Sequence, residues 1–83
     1  MVEGLVLSVG TRTYMTFVDF GREYRRDFTV MITPSMVEKQ AVAGMVVADI
    51  AGRRVRVRGV IEMSGGPAIR LKQVDEIAIL GDE

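Results

Sequence analysis

Alternation of apolar and polar residues with a period of two runs through most of the chain and predicts strands. "VEGLVLSV" (2–9) reads as a first strand, followed by a turn at "GTRT" (10–13). "YMTFVDF" reads as a second, with Tyr14, Thr16, Val18 and Phe20 on one face and Met15, Phe17 and Asp19 on the other. A polar connection, "GREYRRD", leads into "DFTVMIT", where Phe28, Val30 and Ile32 share a face opposite Thr29 and Met31. Pro34 ends that strand, because it donates no ladder hydrogen bond and its fixed φ suits a first helical turn. Two caps fit the helix that follows: Ser35 with Glu38 at capping-box spacing, or Thr33 with Pro34 at the first helical position. Met36, Val37, Gln40 and Ala41 form its covered side, Gly44 stops it, and "MVVADIAG" adds a further irregular or helical turn.

"RRVRVRG" then gives a fourth strand, with Val55 and Val57 inward, Arg54, Arg56 and Arg58 outward, and Gly59 where the strand must bend or bulge. After "MSGGP", the stretch "AIRLKQ" is a fifth strand with Ile69 and Leu71 inward and Arg70 and Lys72 outward. "VDEIAIL" extends it or adds a short final segment. Three strands, a helix and two strands in 83 residues is the plan of a mainly β, five-stranded OB-fold Greek-key barrel, with a short helix between strands 3 and 4. An SH3-like barrel also has five strands but does not normally hold that helix.

The length corresponds to one domain, residues 1–83, with room for a single small core. The chain has no cysteine and no histidine, which excludes disulfides, thiolate metal sites, Ser-His or Cys-His nucleophiles and imidazole acid-base chemistry. A metal-dependent phosphodiesterase needs converging carboxylates. Asp19, Asp27, Asp49 and Glu62 show no Asp-x-Asp or comparable cluster, so neither catalysis nor a bound metal or cofactor is expected. The longest apolar run, "AVAGMVVA", is far shorter than the ~20 residues of a membrane span, so a soluble chain without membrane attachment is expected, cytoplasmic if complete.

Net charge is zero, but its distribution is uneven, and nine of the eleven cations are arginine. Arg22, Arg25 and Arg26 form one cluster, Arg53, Arg54, Arg56 and Arg58 a second, and Arg70 with Lys72 a third. Arginine suits bidentate phosphate contacts and stacking on bases, yet it also serves as the solvated face of an ordinary strand. Like charges opposite one another destabilise paired strands. If Arg70 and Lys72 are the outward neighbours of the fourth strand, counter-charge is therefore expected, from Glu62, Asp75 or Glu76 within the fold or from a phosphate or an acidic partner surface outside it.

"FVDFGREYRRDFTVMI", "AGRRVRVRGVIE" and "GGPAIRL" ahead of "EIAIL" together resemble a small bacterial OB-fold domain that accompanies thermonuclease-like (staphylococcal-nuclease-type) proteins. The resemblance runs from Gly4 to Leu80 and rests on Phe20-Gly21, Asp27 to Val30, Val55 to Gly59, and Gly66-Pro67. It implies nucleic-acid binding, with a linked or associated nuclease domain as partner, and no nuclease activity within this piece. Three positions depart from the pattern: Asp19 stands where such domains commonly carry Asn, Val60 where they carry an aromatic residue, and Val74-Asp75 where they carry His-Pro.

OB-folds bind oligonucleotides on the face of strands 2 and 3, between the first hairpin loop and the loop joining strands 4 and 5. Single-strand binding without sequence preference needs aromatic residues for stacking and a basic groove for phosphates. The candidate contacts are Arg12 in the first loop, Phe17 on the outward face of strand 2 and Tyr24, Arg25 and Arg26 in the next loop. Arg56, Arg58 and Arg70 flank them. The expected function is thus a non-catalytic module that binds single-stranded DNA or RNA weakly and with low sequence specificity. The alternative is a protein-interaction or self-association domain using an exposed strand edge.

Overall fold

A computed structural model of the chain describes residues 2–20, 28–63 and 66–82. It is mainly β, with strands β1 (Val2–Thr11), β2 (Thr16–Phe20), β3 (Thr29–Ile32), β4 (Arg53–Val57), β5 (Ile61–Met63), β6 (Pro67–Arg70) and β7 (Ile77–Asp82), and one helix, α1 (Pro34–Val42). The strands form one open sheet in the order β5-β6-β3-β2-β1-β4-β7.

The expected five-stranded closed barrel is therefore corrected to a seven-stranded open sheet. The last two expected strands become four, for two separate local reasons. The fourth is interrupted at Gly59, whose φ of 148° lies in the region that favours glycine. A Cβ there would meet Ile69 Cγ2 at 2.7 Å, so the position needs glycine for space as well as for conformation. The fifth ends before a 3-10 turn at Val74–Glu76, so the last residues form a separate final strand, the second of the two readings of "VDEIAIL". The Glu76 carboxylate accepts the backbone N–H groups of Lys72 (2.8 Å) and Gln73 (3.3 Å), which pins the reversal.

After these breaks the halves part company. β5 and β6 pair antiparallel, whereas β7 leaves β6 and pairs antiparallel with β4. β3 pairs with β6 in parallel. β1 is long enough to serve two neighbours, with Val2 to Leu5 on β4 and Val6 to Thr11 on β2, and an irregularity between Val6 and Ser8 marks the change. Arg54 and Arg56 consequently stand opposite Leu5 and Glu3 of β1, with Gly81 and Ala78 of β7 on the other side. They do not face Arg70 and Lys72 as the sequence suggested, because the parallel β3–β6 pairing carries β6 away from β4.

The inward sets of the alternating strands are the ones that are buried. Val18, Phe20, Phe28, Val30, Ile32, Val55, Val57 and Ile69 form the core with Val6, Val47, Ile50, Leu71 and Ile77. Phe20 and Phe28 meet edge to face at 5.6 Å, a favourable arrangement for aromatic rings, and the Phe20 N–H donates to the Phe28 carbonyl at 3.0 Å. Tyr14 departs from the expected pattern: it precedes β2 in a turn closed by the Arg12 N–H on the Met15 carbonyl, and it is exposed.

Of the two possible caps, Thr33 is the one used, its hydroxyl accepting the Met36 N–H at 3.2 Å with Pro34 at the start of the helix. Met36 and Gln40 are buried, Val37 is half-buried, and Ala41 faces solvent instead of the sheet. Gln40 is 1% exposed, and its amide donates to the Val74 carbonyl at 3.0 Å, tying α1 to the 3-10 turn. No helix is long and apolar enough to cross a membrane among the described residues.

Gly59→Ala should lower unfolding stability by about 1–3 kcal/mol, since it adds overpacking against Ile69 to backbone strain. Gly52→Ala tests the separation of the two effects, because Gly52 also has positive φ (86°) but open space around its Cβ position. Urea denaturation should show the larger loss at Gly59.

Candidate nucleic-acid interface

The alternation that buries Val18 and Val30 turns Phe17, Asp19, Thr29 and Met31 to the opposite face of β2 and β3. There, with Gly10, Arg12 and Ala68, they line a shallow groove of ≈ 360 Å³. Strand register arranges this face in two rows. One row runs Gly10, Phe17, Met31, Arg70, and the other Ser8, Asp19, Thr29, Ala68, Glu62.

The first row is an apolar shelf with cations near its ends. Phe17 and Met31 are direct cross-strand neighbours, and Tyr14 and Phe17 meet at a steep angle (76°) with ring centroids 6.4 Å apart. Arg12 leans over Gly10: its guanidinium Nη1 would lie 3.9 Å from a Cβ at that glycine. The second row is polar. Asp19 accepts a hydrogen bond from the Thr29 hydroxyl at 3.0 Å and a longer one from the Ser8 hydroxyl at 3.4 Å.

The candidate residues named from the sequence divide into three groups. Arg12 and Phe17 come together in the groove. Tyr24, Arg25 and Arg26 fall outside the described residues. Arg56, Arg58 and Arg70 stand beside carboxylates of the chain itself. Arg56 Nε meets Glu3 Oε2 at 2.9 Å, Arg58 Nη2 lies 3.6 Å from Asp75 Oδ2 and donates to the Asp75 carbonyl at 3.1 Å, and Arg70 lies 3.9 Å from Glu62. Arg12 differs from them, having no carboxylate partner among the described residues.

Two of the counter-charges, Glu62 and Asp75, were among the acids the sequence offered. Glu3 was not, because nothing local links the first strand to the fourth. The Glu76 carboxylate is engaged with backbone N–H groups instead. The groove residues that sequence reasoning passed over are Gly10, Asp19, Thr29, Met31 and Ala68. Their signal was present in the alternation, which put Asp19 on the Phe17 face and Thr29 and Met31 on the outward face of their strand. The register that assembles them across four strands was not.

Among the described residues, no group of three acidic side chains comes together as a metal site. Comparison of the chain with family models, with curated proteins and with solved structures returns no match.

The Arg56–Glu3 pair is about half exposed on both sides (46% and 45%), where an ion pair contributes about 0–1 kcal/mol. Arg56→Gln should therefore change stability by less than about 1 kcal/mol, and the difference should shrink further in high salt. Parallel urea titrations at low and high ionic strength check this.

Proposed function

We propose that the chain is a non-catalytic OB-type module that binds single-stranded nucleic acid along the β2–β3 groove, weakly and with little overall sequence preference. The observation that carries the proposal is the meeting of Phe17, Met31 and Arg12 in one open groove. A half-buried aromatic ring on an open strand face is a surface on which a base can stack. A guanidinium at the rim, without an internal carboxylate partner among the described residues, is available to a phosphate.

The pairing scheme supports the OB-type reading. β1 is shared between β2 and β4, β3 runs parallel to β6, and α1 lies between β3 and β4. With β4–β5 and β6–β7 each taken as one broken strand, these are the adjacencies of an OB topology opened at its breaks. The groove then lies on the face such folds use. The resemblance to thermonuclease-associated domains adds a role beside a nuclease, holding a strand for a catalytic partner.

Exposed apolar side chains on edge strand β5 favour a second reading, self-association through that edge. Ile61 and Met63 are 52% and 73% exposed, and Val60 just before them is 73% exposed. Unpaired edges of this kind recruit other strands. Glu62 lies at the centre of the edge, however, so two copies paired antiparallel about it would bring like charges opposite one another, which is destabilising.

In fluorescence anisotropy with a short labelled oligonucleotide, the wild-type chain should bind at low salt and weaken as salt is added. Phe17→Ala should cost about 1–3 kcal/mol of affinity. Arg12→Ala should weaken binding across sequences and reduce the salt slope by about one unit. Arg56→Gln, already paired within the fold, should have little effect. Absence of wild-type binding at low salt and high protein concentration rejects the proposal. Light scattering addresses the second reading: self-association should give a mass that rises with concentration and falls back on Ile61→Lys, and a strictly monomeric particle rejects it.

A further inference from the structure

The groove contains a carboxylate where a surface built only for phosphate would carry a cation. Asp19 is half-buried on β2, two residues from Phe17 on the same face. We propose that Asp19 selects guanine at the base position stacked over Phe17. This rests on the groove being a single-strand binding surface, and it assigns that surface a base preference at one position.

The geometry begins with spacing. Residues two apart on a strand are separated by about 7 Å, a span comparable to the length of a purine. A base stacked over Phe17 and Met31 thus points an edge along β2 toward Asp19. An ionised carboxylate only accepts hydrogen bonds, and each of its oxygens has room for two. The Thr29 hydroxyl takes one site on Oδ1 and the Ser8 hydroxyl takes one on Oδ2. Among the described residues, one site on each oxygen remains, and the two existing bonds orient the carboxylate.

Two parallel acceptors require two adjacent donors. Guanine alone among the standard bases has them on its Watson–Crick edge, the ring N1–H beside the exocyclic N2 amino group. Adenine and cytosine set one amino donor beside a ring-nitrogen acceptor, and uracil and thymine set one N–H between two carbonyls. Each of these would place an acceptor against the Asp19 carboxylate. The same charge repels phosphate from the polar row, so the backbone runs past Arg12 at the end of the apolar row. An asparagine at this position would offer one acceptor and one donor group and favour adenine.

The test compares a short labelled oligothymidylate with the same strand carrying one central guanine, adenine or inosine, each titrated with wild-type protein and with Asp19→Asn. Wild-type protein should bind the guanine strand about tenfold more tightly than the all-thymine strand. Adenine should give less, although it stacks as a purine, and inosine, which lacks the exocyclic amino group, should fall between guanine and thymine. Asp19→Asn should erase the guanine advantage and strengthen all-thymine binding, because it removes a negative charge beside the phosphates. Equal wild-type affinity for guanine, adenine and thymine strands overturns the proposal and leaves the groove as a nonselective site. Equal weakening of every strand by Asp19→Asn also overturns it, because the residue would then support the fold instead of reading the base. Failure of all strands to bind overturns both this inference and the function on which it rests.

Discussion

The backbone of Gly59 lies so close to the Ile69 side chain that no other residue fits there without displacement. Ile69 is fully buried and stands in register between Val30 of β3 and Ile61 of β5. It is the point where the β3–β6 pairing meets the chain returning from β4. Because a Cβ at position 59 would be 2.7 Å from Ile69, the strand can bend over the core only through glycine. The bend separates β4, which serves β1 and β7, from β5, which serves β6. Close packing of the interior makes such a contact intolerant of even one added methyl group.

That bend also determines what the arginine row can do. In the chain, Arg54, Arg56 and Arg58 alternate with valines and look like one charged surface. In the fold, β1 brings Glu3 to Arg56, and the 3-10 turn after β6 brings Asp75 to Arg58. The turn is itself held by Glu76 on two backbone N–H groups, and the Arg58 N–H donates to the Glu76 carbonyl at 2.7 Å. Much of this basic strand is thus neutralised at home, consistent with a chain whose net charge is zero. Among the described residues, the groove cation without a carboxylate partner is Arg12, which the density of charge elsewhere in the sequence made inconspicuous.

The groove face shows how a small sheet divides two tasks between its sides. Val18 and Val30 fill the core, while Phe17, Met31, Asp19 and Thr29 on the alternate positions are left to interact outward. A rigid β surface supports such groups better than a loop, because the strand pairings fix the backbone on both sides. Met31 is buried despite facing outward, at 7% exposure, between its cross-strand neighbours Phe17 and Arg70, so Phe17 presents most of the accessible apolar surface. The result is a flat apolar shelf with a fixed carboxylate beside it.

Local chemistry was enough to determine the strand faces, the helix with Pro34 at its start, and the need for glycine where the fourth strand bends. Each follows from side-chain periodicity or from the φ and hydrogen-bonding limits of one residue. The candidate site was half legible for the same reason: Arg12 and Phe17 could be named from a loop position and a strand face. Partnership across the sheet was not legible. That β4 lies between β1 and β7, that Glu3 neutralises Arg56, that the last two expected strands become four, and that Asp19 stands beside Thr29 in the groove all depend on register between distant segments. A period of two specifies which way each side chain points but not which strand lies beside it, and only the packed core fixes that choice.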